Sequence, residues 1–425
     1  MRIAYLTGEY PRATDTFIQR EVAALRDMGV EVHTFSVRRT GDEHMVGLEQ
    51  KRERDRTFYI LPVNLINLLL AHLTLLVSSP RRYLRAIQLA WSTRQPGLRG
   101  TLYQLFYFLE AGILAKEINQ RQIPHLHNHF ADSSCSVAML AAEFGDFTFS
   151  LTLHGPYIFF EPYHWRIDEK IKRSLFVSCI SHYCRSQGMI FAPPEKWKRM
   201  HIIHCGIDPA LFDVVSHNES GKNLLYVGRL AVVKGLPILL ESLSFLKRSH
   251  PEILLTVVGD GSDRVHLEQL ADQLGLSANV KFVGYQSQAE VRRYMQQTDV
   301  FVMSSFAEGV PVVLMEAMAA GVPVVATQIA GISELVEDNV SGYLVPPGDA
   351  FYLAESLGKL LATSQLRVTF GIAGRAKVEK DFNINYEVAW LHRVMSSALQ
   401  GKVESIRPHN SEKLVPMSKE PIINV

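Results

Sequence analysis

Two glutamates, Glu308 and Glu316, bracket the apolar run EGVPVVLME. Pro311 lies between them and suits the first position of a helix, so we expect Glu308 in the preceding loop and Glu316 about two turns into the helix. The helix N-terminus between the two acids presents unpaired N–H groups and a positive dipole end, which favour a phosphate. A nearby carboxylate can accept two hydrogen bonds from the vicinal diol of a ribose. The spacing therefore suits a sugar nucleotide.

Two cations lie upstream of this pair. The segment LLYVGRLAVVKG (Leu224 to Gly235) predicts a buried strand, a glycine turn, and a loop that holds Arg229 and Lys234 before the next helix. A diphosphate leaving group needs fixed positive charge, which the planar fork of arginine and the compact ammonium of lysine both supply. Taken alone, the two residues fit solvated surface cations equally well. The glutamate pair farther along the chain favours the diphosphate.

The chain resembles the family 4 glycosyltransferases of the GT-B architecture. The motifs that carry the resemblance are Gly228-Arg229, Lys234-Gly235, the Glu308/Glu316 pair, GISELVEDNVSGYLVPPGD (Gly331 to Asp349), GEYPRATDTFIQRE (Gly8 to Glu21), HNHFAD (His127 to Asp132), LTLHG (Leu151 to Gly155) and HCGID (His204 to Asp208). The set is similar to a subgroup that builds bacterial exopolysaccharides, including colanic-acid-type transferases. The likeness spans about residues 1–390.

The resemblance implies an α/β fold with two Rossmann-like parallel-sheet domains that face a deep interdomain cleft. Apolar strands that alternate with helical stripes along the chain agree with parallel sheets. The expected segments are an N-terminal acceptor-binding domain over 1–212, a hinge over 213–222, a C-terminal nucleotide-sugar-binding domain over 223–382, a helix over 383–400 that crosses back to the N-terminal domain, and a flexible tail over 401–425.

The resemblance also implies retaining transfer of a sugar from a nucleoside diphosphate to an acceptor. The expected catalytic residues are His154, Arg229, Lys234 and Glu308. Arg229 and Lys234 would stabilise the departing diphosphate, and Glu308 would contact the sugar hydroxyls. The expected donor-binding residues are Gly8, Gly228, Gly309, Val310, Pro311, Val312 and Glu316. The acceptor side is assigned to Arg12, Thr14 and His129. Because cations and a helix end replace a divalent ion, we expect no metal and no other cofactor.

The first predicted strand, RIAYLT, leads directly into Gly8. We expect Gly8 in the loop after this strand, where a glycine lets the backbone approach a ligand closely. Family members often have two adjacent glycines there, whereas this chain has Gly8-Glu9. Thr16 and Gln19 have the spacing of a capping box, which predicts the start of the next helix.

Three histidines, His125, His127 and His129, alternate along one predicted strand, so their side chains share a face. Such a face is one way to bind zinc. However, three histidines on one strand make a poor tetrahedral set, and the sequence places no acid or thiol to complete it. We therefore expect no metal here, with His129 on the acceptor side and the other two in the core or on the surface.

The composition is that of a large enzyme with ample core. The 425 residues carry a net charge of +1, which argues against a strongly basic nucleic-acid-binding protein. The expected partners are a UDP- or GDP-sugar and a lipid-linked or oligosaccharide acceptor. The four cysteines form no CxxC pair, and the N-terminus begins directly with a strand rather than a signal peptide, so we expect a cytoplasmic protein.

The segment Phe58 to Val77 contains no charged residue and is as long as a membrane span. Its Pro62, Asn64, Asn67 and His72 are expensive in lipid and favour a core or interfacial helix instead. Arginines follow it, so we expect peripheral attachment to the cytoplasmic face of the inner membrane.

Two other functions remain open on the same architecture. One is a nucleotide-sugar epimerase or isomerase, and the other is a binding protein without catalysis. The complete set of Arg229, Lys234, Glu308 and Glu316 favours transfer over both.

Overall fold

The computed structural model of the chain describes residues 1–45, 47–216, 221–404 and 407. Residues 217–220 of the predicted hinge, and residues 405–406 and 408–425 of the predicted tail, lie outside the described residues. The chain divides into two compact units. Unit 1 comprises Met1–His204 and Asn385–Val425, and unit 2 comprises Cys205–Ile384.

Unit 1 is built on a parallel sheet. Its strands are β1 (Arg2–Tyr10), β2 (Glu31–Arg39), β3 (Phe58–Tyr59), β4 (His125–His129), β5 (Thr148–Leu153), β6 (Val177–Cys179) and β7 (Met200–Ile202). The seven strands lie in the order β3-β2-β1-β4-β5-β6-β7. The helices between them are α1 (Thr16–Asp27), α2 (Leu48–Arg56), α3 (Leu65–Ser78), α4 (Pro80–Thr93), α5 (Gly97–Gln120), α6 (Ser133–Phe144), α7 (Tyr157–Phe160), α8 (Pro162–Trp165), α9 (Ile167–Arg173) and α10 (His182–Phe191).

Two local predictions at the start of unit 1 are wrong. Gly8 lies inside β1 rather than in a loop after it, because the strand continues through the pairing of Glu9 with Arg38 in β2. The residues expected to form a capping box do not form one. Helix α1 has no side-chain cap, and the Gln19 side chain instead donates to the Arg12 carbonyl at 2.8 Å.

The apolar segment 58–77 is not one continuous element. It begins with the two residues of β3 and continues, after a break, as α3. The Asn64 side chain caps α3 by accepting from the Asn67 N–H at 2.7 Å, so one of the polar residues that argue against a span begins the helix. None of the helices in the described ranges combines the length and apolar character needed to cross a membrane.

Unit 2 is a second parallel sheet. Its strands are β8 (Asn223–Val227), β9 (Leu254–Val258), β10 (Val280–Gly284), β11 (Val300–Met303), β12 (Val324–Thr327) and β13 (Gly342–Val345). They lie in the order β10-β9-β8-β11-β12-β13. The helices are α11 (Leu236–Leu246), α12 (Arg264–Gln273), α13 (Gln288–Gln296), α14 (Val312–Ala319), α15 (Ile332–Leu335), α16 (Ala350–Ala362) and α17 (Ser364–Asp381). Leucines of α11 and α16 pack with β8 and β9 into a buried core.

The last helix, α18 (Ile384–Leu399), belongs to unit 1 from Asn385 onward. Its buried Glu387 accepts a hydrogen bond from the His204 backbone N–H at 2.8 Å, and Trp390 packs edge-on to His201. These contacts attach the C-terminal helix to the end of the unit 1 sheet.

Each sheet contains one point where the chain changes the direction in which it adds strands. That point lies between β1 and β4 in unit 1, and between β8 and β11 in unit 2. In open parallel sheets, ligands bind outside the carboxyl ends of the strands at such a switch point. In unit 2, the loops that leave β8 and β11 lie at the switch point and are therefore candidates for a ligand site.

Candidate active site

The loops after β8 and β11 are joined by hydrogen bonds. The Phe306 N–H donates to the Val233 carbonyl at 2.8 Å, and the Ser304 hydroxyl donates to the Lys234 carbonyl at 3.2 Å. Thr327, at the end of the neighbouring strand β12, donates to the Ser305 carbonyl at 2.6 Å. Three adjacent strand ends thus hold the loops in one arrangement.

Glycine permits this close approach at two positions. Gly235 has φ +63°, and a Cβ there would lie 2.1 Å from the Ser304 carbonyl oxygen. Gly259, which follows β9, has φ +130°, and its Cβ would lie 1.9 Å from the Gly228 carbonyl oxygen. Because a side chain at either position would collide with backbone, both glycines are needed for the loops to pack. The Gly228 backbone N–H also donates to the Val258 carbonyl of β9 at 2.9 Å.

Lys234 and Glu308 meet where the two loops touch. The Lys234 ammonium lies 2.5 Å from Glu308 Oε1, and the Ser305 hydroxyl donates to the same oxygen at 2.8 Å. The side chains are 21% and 11% exposed, so the ion pair is partly shielded from water. Burial raises the pKa of the adjacent Tyr226 phenol, and the negative charge of Glu308 raises it further. The structure therefore brings together two of the predicted catalytic residues.

Arg229 lies at the start of the loop that carries Lys234. Its side chain is exposed, and within the described ranges it has no ion-pair partner. A guanidinium in this state can bind a phosphate without first breaking a salt bridge.

The helix end predicted between the two glutamates is present. Helix α14 starts at Val312, with Pro311 as the N-cap residue in an extended conformation rather than the first helical residue. The helix has no side-chain cap, so the first N–H groups after the half-buried Val312 lack a side-chain acceptor. Val310 precedes them as a buried residue, and the Gly309 carbonyl accepts from Gly331 N–H at 3.1 Å.

Glu316 lies in the second turn of α14 and is only 3% exposed. A buried carboxylate requires hydrogen-bonding partners, which makes this position unusual among the apolar residues of the helix. The burial of Glu316 fits a carboxylate that makes polar contacts at the helix, and it does not fit a solvated surface acid.

In unit 1, His154 follows β5 and is part of a buried hydrogen-bonded chain. His154 Nε2 lies 2.8 Å from His129 Nδ1, and His129 Nε2 lies 3.1 Å from Glu21 Oε1. The Tyr5 hydroxyl donates to the same Glu21 oxygen at 2.7 Å. Sequence reasoning missed Glu21. The available sign was a carboxylate within the apolar stripe of α1, between Ile18 and Val22.

Both ring nitrogens of His129 are engaged in this chain of hydrogen bonds, Nδ1 by His154 and Nε2 by the Glu21 carboxyl group. Burial holds the pKa of His154 well below its ordinary value, and the His129 ring adds to this effect. Glu21 and His129 therefore orient the His154 ring.

His125 and His127 lie in the core, where β5 supplies a hydroxyl opposite each ring. His127 Nδ1 lies 2.7 Å from the Ser150 hydroxyl, and its Nε2 lies 2.8 Å from the Thr152 hydroxyl. The expectation that no acid stands near these histidines is wrong, because Glu21, His127 and His129 place ligand atoms within 4.8 Å of one another. The ring nitrogens of His127 already bond to hydroxyls, so a hydrogen-bond network accounts for the cluster.

The predicted acceptor-side residues differ in their contacts and in their burial. Arg12 lies between Glu9 and Asp15, at 3.9 and 3.8 Å, and the Thr14 hydroxyl donates to Asp15 at 3.0 Å. His129, by contrast, is fully buried and contacts His154. A Cβ added at Gly8 would meet nothing within 4 Å, so open space lies beside this part of β1.

Two parallel α/β units with a switch point each define the GT-B class of folds, and known structures share the fold over nearly the whole chain. HepE from Anabaena, solved in complexes with UDP and with UDP-glucose, matches with TM-scores of 0.71 and 0.69. Each match is below 20% identity, at 18% and 19%, and covers 93% of this chain and 100% of the HepE chain.

Sequence comparisons find similar glycosyltransferases. Residues 208–377 match the model of glycosyl transferases group 1. The amylovoran biosynthesis glycosyltransferase AmsK of Erwinia amylovora is 37% identical over 199 residues, which is 45% of this chain and about half, 48%, of AmsK. The putative colanic acid biosynthesis glycosyltransferase WcaL of Salmonella typhimurium is 27% identical over 92% of this chain and 99% of WcaL. The family match covers most of unit 2, and both relatives are named as glycosyltransferases.

Proposed function

We propose that this protein is a retaining hexosyltransferase that uses a nucleoside-diphosphate sugar as donor. The observation that carries the proposal is the pairing of Lys234 with Glu308 at the switch point of unit 2, beside the uncapped N-terminus of α14. An ammonium, an exposed guanidinium at Arg229 and free helix N–H groups match the needs of a diphosphate. A carboxylate beside them matches sugar hydroxyls.

The chemistry assigned to these groups is a single displacement on one face of the sugar. The oxygen of the acceptor hydroxyl forms a bond to the anomeric carbon while the bond from that carbon to the diphosphate oxygen breaks. The proton of the hydroxyl passes to the departing phosphate oxygen. Lys234, Arg229 and the α14 N-terminus stabilise the charge that develops on the diphosphate.

The remaining residues hold the donor in place. Glu308 positions the sugar through its hydroxyls, and Glu316 accepts from the ribose diol. His154, held by His129, accepts a hydrogen bond from the donor sugar. Gly8, Arg12 and Thr14 are assigned to the part of unit 1 that receives the acceptor, near the carboxyl end of β1.

The comparisons support particular substrates. HepE binds UDP and UDP-glucose in its solved complexes, which favours a UDP-hexose donor here, with a GDP-hexose second. AmsK and WcaL are named for exopolysaccharide synthesis, which favours a growing saccharide as acceptor. A lipid-linked saccharide would place the enzyme in the cytoplasm at the surface of the inner membrane.

The first test is a thermal-shift panel of UDP, GDP and their hexose conjugates. A ligand at 100 times its Kd should stabilise the folded protein by about 2.7 kcal/mol, and Arg229→Ala should reduce the shift for the correct nucleotide. The donor is then incubated with and without a lipid-linked saccharide. Nucleotide release that requires the acceptor supports transfer. Conversion of the donor sugar without acceptor would indicate an epimerase, and binding without turnover across acceptors would indicate a binding protein.

A further inference from the structure

Helix α3 exposes an apolar face although it is already packed on unit 1. The exposed apolar residues of α3 are Leu65, Ile66, Leu69, Leu70, Leu73, Leu76 and Val77. Their side chains are largely accessible to solvent, since Ile66 is 69% and Val77 81% exposed. Helices of monomeric proteins rarely leave so continuous an apolar patch in water unless something covers it.

The arrangement around the helix shows two separate apolar faces. At ~3.6 residues per turn, the exposed residues occupy an arc of about 140°. The buried residues Ala71, His72 and Leu75 lie on the opposite side. Exposed polar residues, Asn67, Thr74 and Ser78, form only a narrow strip beside them. One face is therefore satisfied within unit 1, and the other has no partner in the described chain.

Helices α4 and α5 extend this surface. The buried His72 ring bonds to the Tyr83 hydroxyl of α4 at 3.1 Å and to the Leu109 carbonyl of α5 at 3.2 Å, so the three helices form one packed group. Each of the other two also exposes a stripe at helical spacing. These stripes are Leu84, Ile87 and Trp91 on α4, and Leu98, Leu102, Leu105 and Phe106 on α5. Together with the exposed residues of α3 they are called the α3–α5 surface.

The chain segment that forms most of this surface carries charge of one sign. From Phe58 to Leu109 the chain contains no Asp or Glu, whereas it contains Arg81, Arg82, Arg85, Arg94 and Arg99. Two of these arginines stack on aromatic rings of the same helices, Arg94 over Trp91 at 3.5 Å and Arg99 over Tyr103 at 5.5 Å. Arg82 and Arg85 pair with acids of other elements, and the exposed Arg81 has no ion-pair partner in the described ranges.

We propose that the α3–α5 surface docks on an anionic lipid bilayer, with its apolar residues at the level of the lipid headgroups. Apolar helices bordered by arginines and by Trp and Tyr rings have the chemistry of an interfacial anchor. A second copy of the chain fits less well, because a symmetric contact would bring the arginines of both copies together. Docking on a bilayer would bring the enzyme to a lipid-linked acceptor, and only this purpose rests on the proposed function.

The test is co-flotation of the full chain with phosphatidylcholine vesicles that contain or lack phosphatidylglycerol. We expect binding to the anionic vesicles that weakens with added salt, because exposed charges are screened. Leu69→Glu with Leu73→Glu places two charges at the centre of the exposed arc and should reduce binding at least about tenfold. Matched controls are Val265→Glu and Ile372→Glu, each exposed to 66% on helices of unit 2, which should bind like the wild type.

Two further measurements do not depend on how the leucine variant folds. Arg81→Gln and Arg99→Gln should each weaken binding about fivefold, since an arginine near an anionic surface is worth that much. Trp91 fluorescence should be quenched by brominated lipids in the wild type, and this signal should disappear in Trp91→Phe.

Several results would overturn the proposal. The wild-type protein could fail to bind anionic vesicles at low salt, or the leucine variant could bind them as tightly as the wild type. Brominated lipids could also fail to quench Trp91 fluorescence. A dimer that the leucine variant dissociates, without vesicle binding, would assign the surface to self-association instead. Vesicle binding is measured without donor, and the nucleotide thermal shift without vesicles, so failure of one leaves the other testable.

Discussion

The ion pair between Lys234 and Glu308 allows a quantitative prediction. Lys234→Ala removes the ammonium and leaves the Glu308 carboxylate with the Ser305 hydroxyl as its remaining donor described here. Glu308→Gln removes the charge and keeps the shape of the side chain. If Lys234 and Glu308 together bind a diphosphate and a sugar, each substitution should impair the same step. The losses of activity in the two single variants should then not add in the double variant.

The structure sets the scale of the effect. At the observed 2.5 Å and an effective dielectric of ~20, the Coulomb attraction is at most about 7 kcal/mol. Desolvation and the residual exposure of both side chains reduce the net coupling, for which we expect about 1–3 kcal/mol. For catalysis, loss of a preorganised cation should lower turnover by about 10²-fold or more.

The assay is a double-mutant cycle. Lys234→Ala, Glu308→Gln and the double variant are compared in urea unfolding and in sugar transfer. Lys377→Ala is the matched control, because Lys377 also lies in unit 2, is also ion-paired and has the same 21% side-chain exposure. Sugar transfer near the wild-type rate by Lys234→Ala, or strictly additive losses in the cycle, would refute the assignment of the pair.

Three other predictions follow from single side chains. Gly235→Ala should destabilise the protein more than Gly275→Ala in urea unfolding: both glycines have positive φ, +63° and +68°, but only Gly235 has backbone within the reach of a Cβ. Equal losses would contradict the close-approach argument. Burial raises the pKa of Glu110 from 4.5 to about 7, so the folded protein keeps a proton that the unfolded chain releases, and stability from this group is lost as pH rises through that window. Glu110→Gln should therefore raise the free energy of unfolding at pH 8 by about 1–3 kcal/mol and leave it unchanged below pH 4.5. The control Glu49→Gln, at an exposed position, should leave the melting temperature unchanged at both pH values. Glu21→Gln should lower turnover more than donor affinity and change the ¹⁵N shifts of the buried histidines, whereas a purely structural role would leave the tautomers unchanged.

The sequence was sufficient for the alternation of strands and helices and for the loops of unit 2 that carry Arg229, Lys234 and Glu308. The glycine after β8, the two cations and Glu308 lie in loops that leave strands, and Glu316 lies in the helix that follows the second of these loops. Helix α14 begins one residue later than predicted, which is within the usual uncertainty of helix ends.

Unit 1 is harder to predict from the sequence, because the wrong predictions there depend on contacts between distant segments. The apolar run ends at Leu6, which predicts that Gly8 follows β1, yet pairing with β2 carries the strand on to Tyr10. The contact of Glu21 is not predictable locally, because its partner His129 is 108 positions away in the chain. No local pattern records a hydrogen bond between residues so far apart.

The amino-acid sequence by itself determined the βα alternation, the resemblance to a family and the chemical types at the site, since these depend on residue identity and short spacing. The tertiary structure alone decided that Lys234 meets Glu308, that Glu21 acts on His154 through His129, and that one face of α3 stays exposed. The physical reason is that such contacts arise from strand order and from helix packing, which bring distant segments together. Helical periodicity identifies an apolar side chain, but only the packed chain shows whether protein covers it.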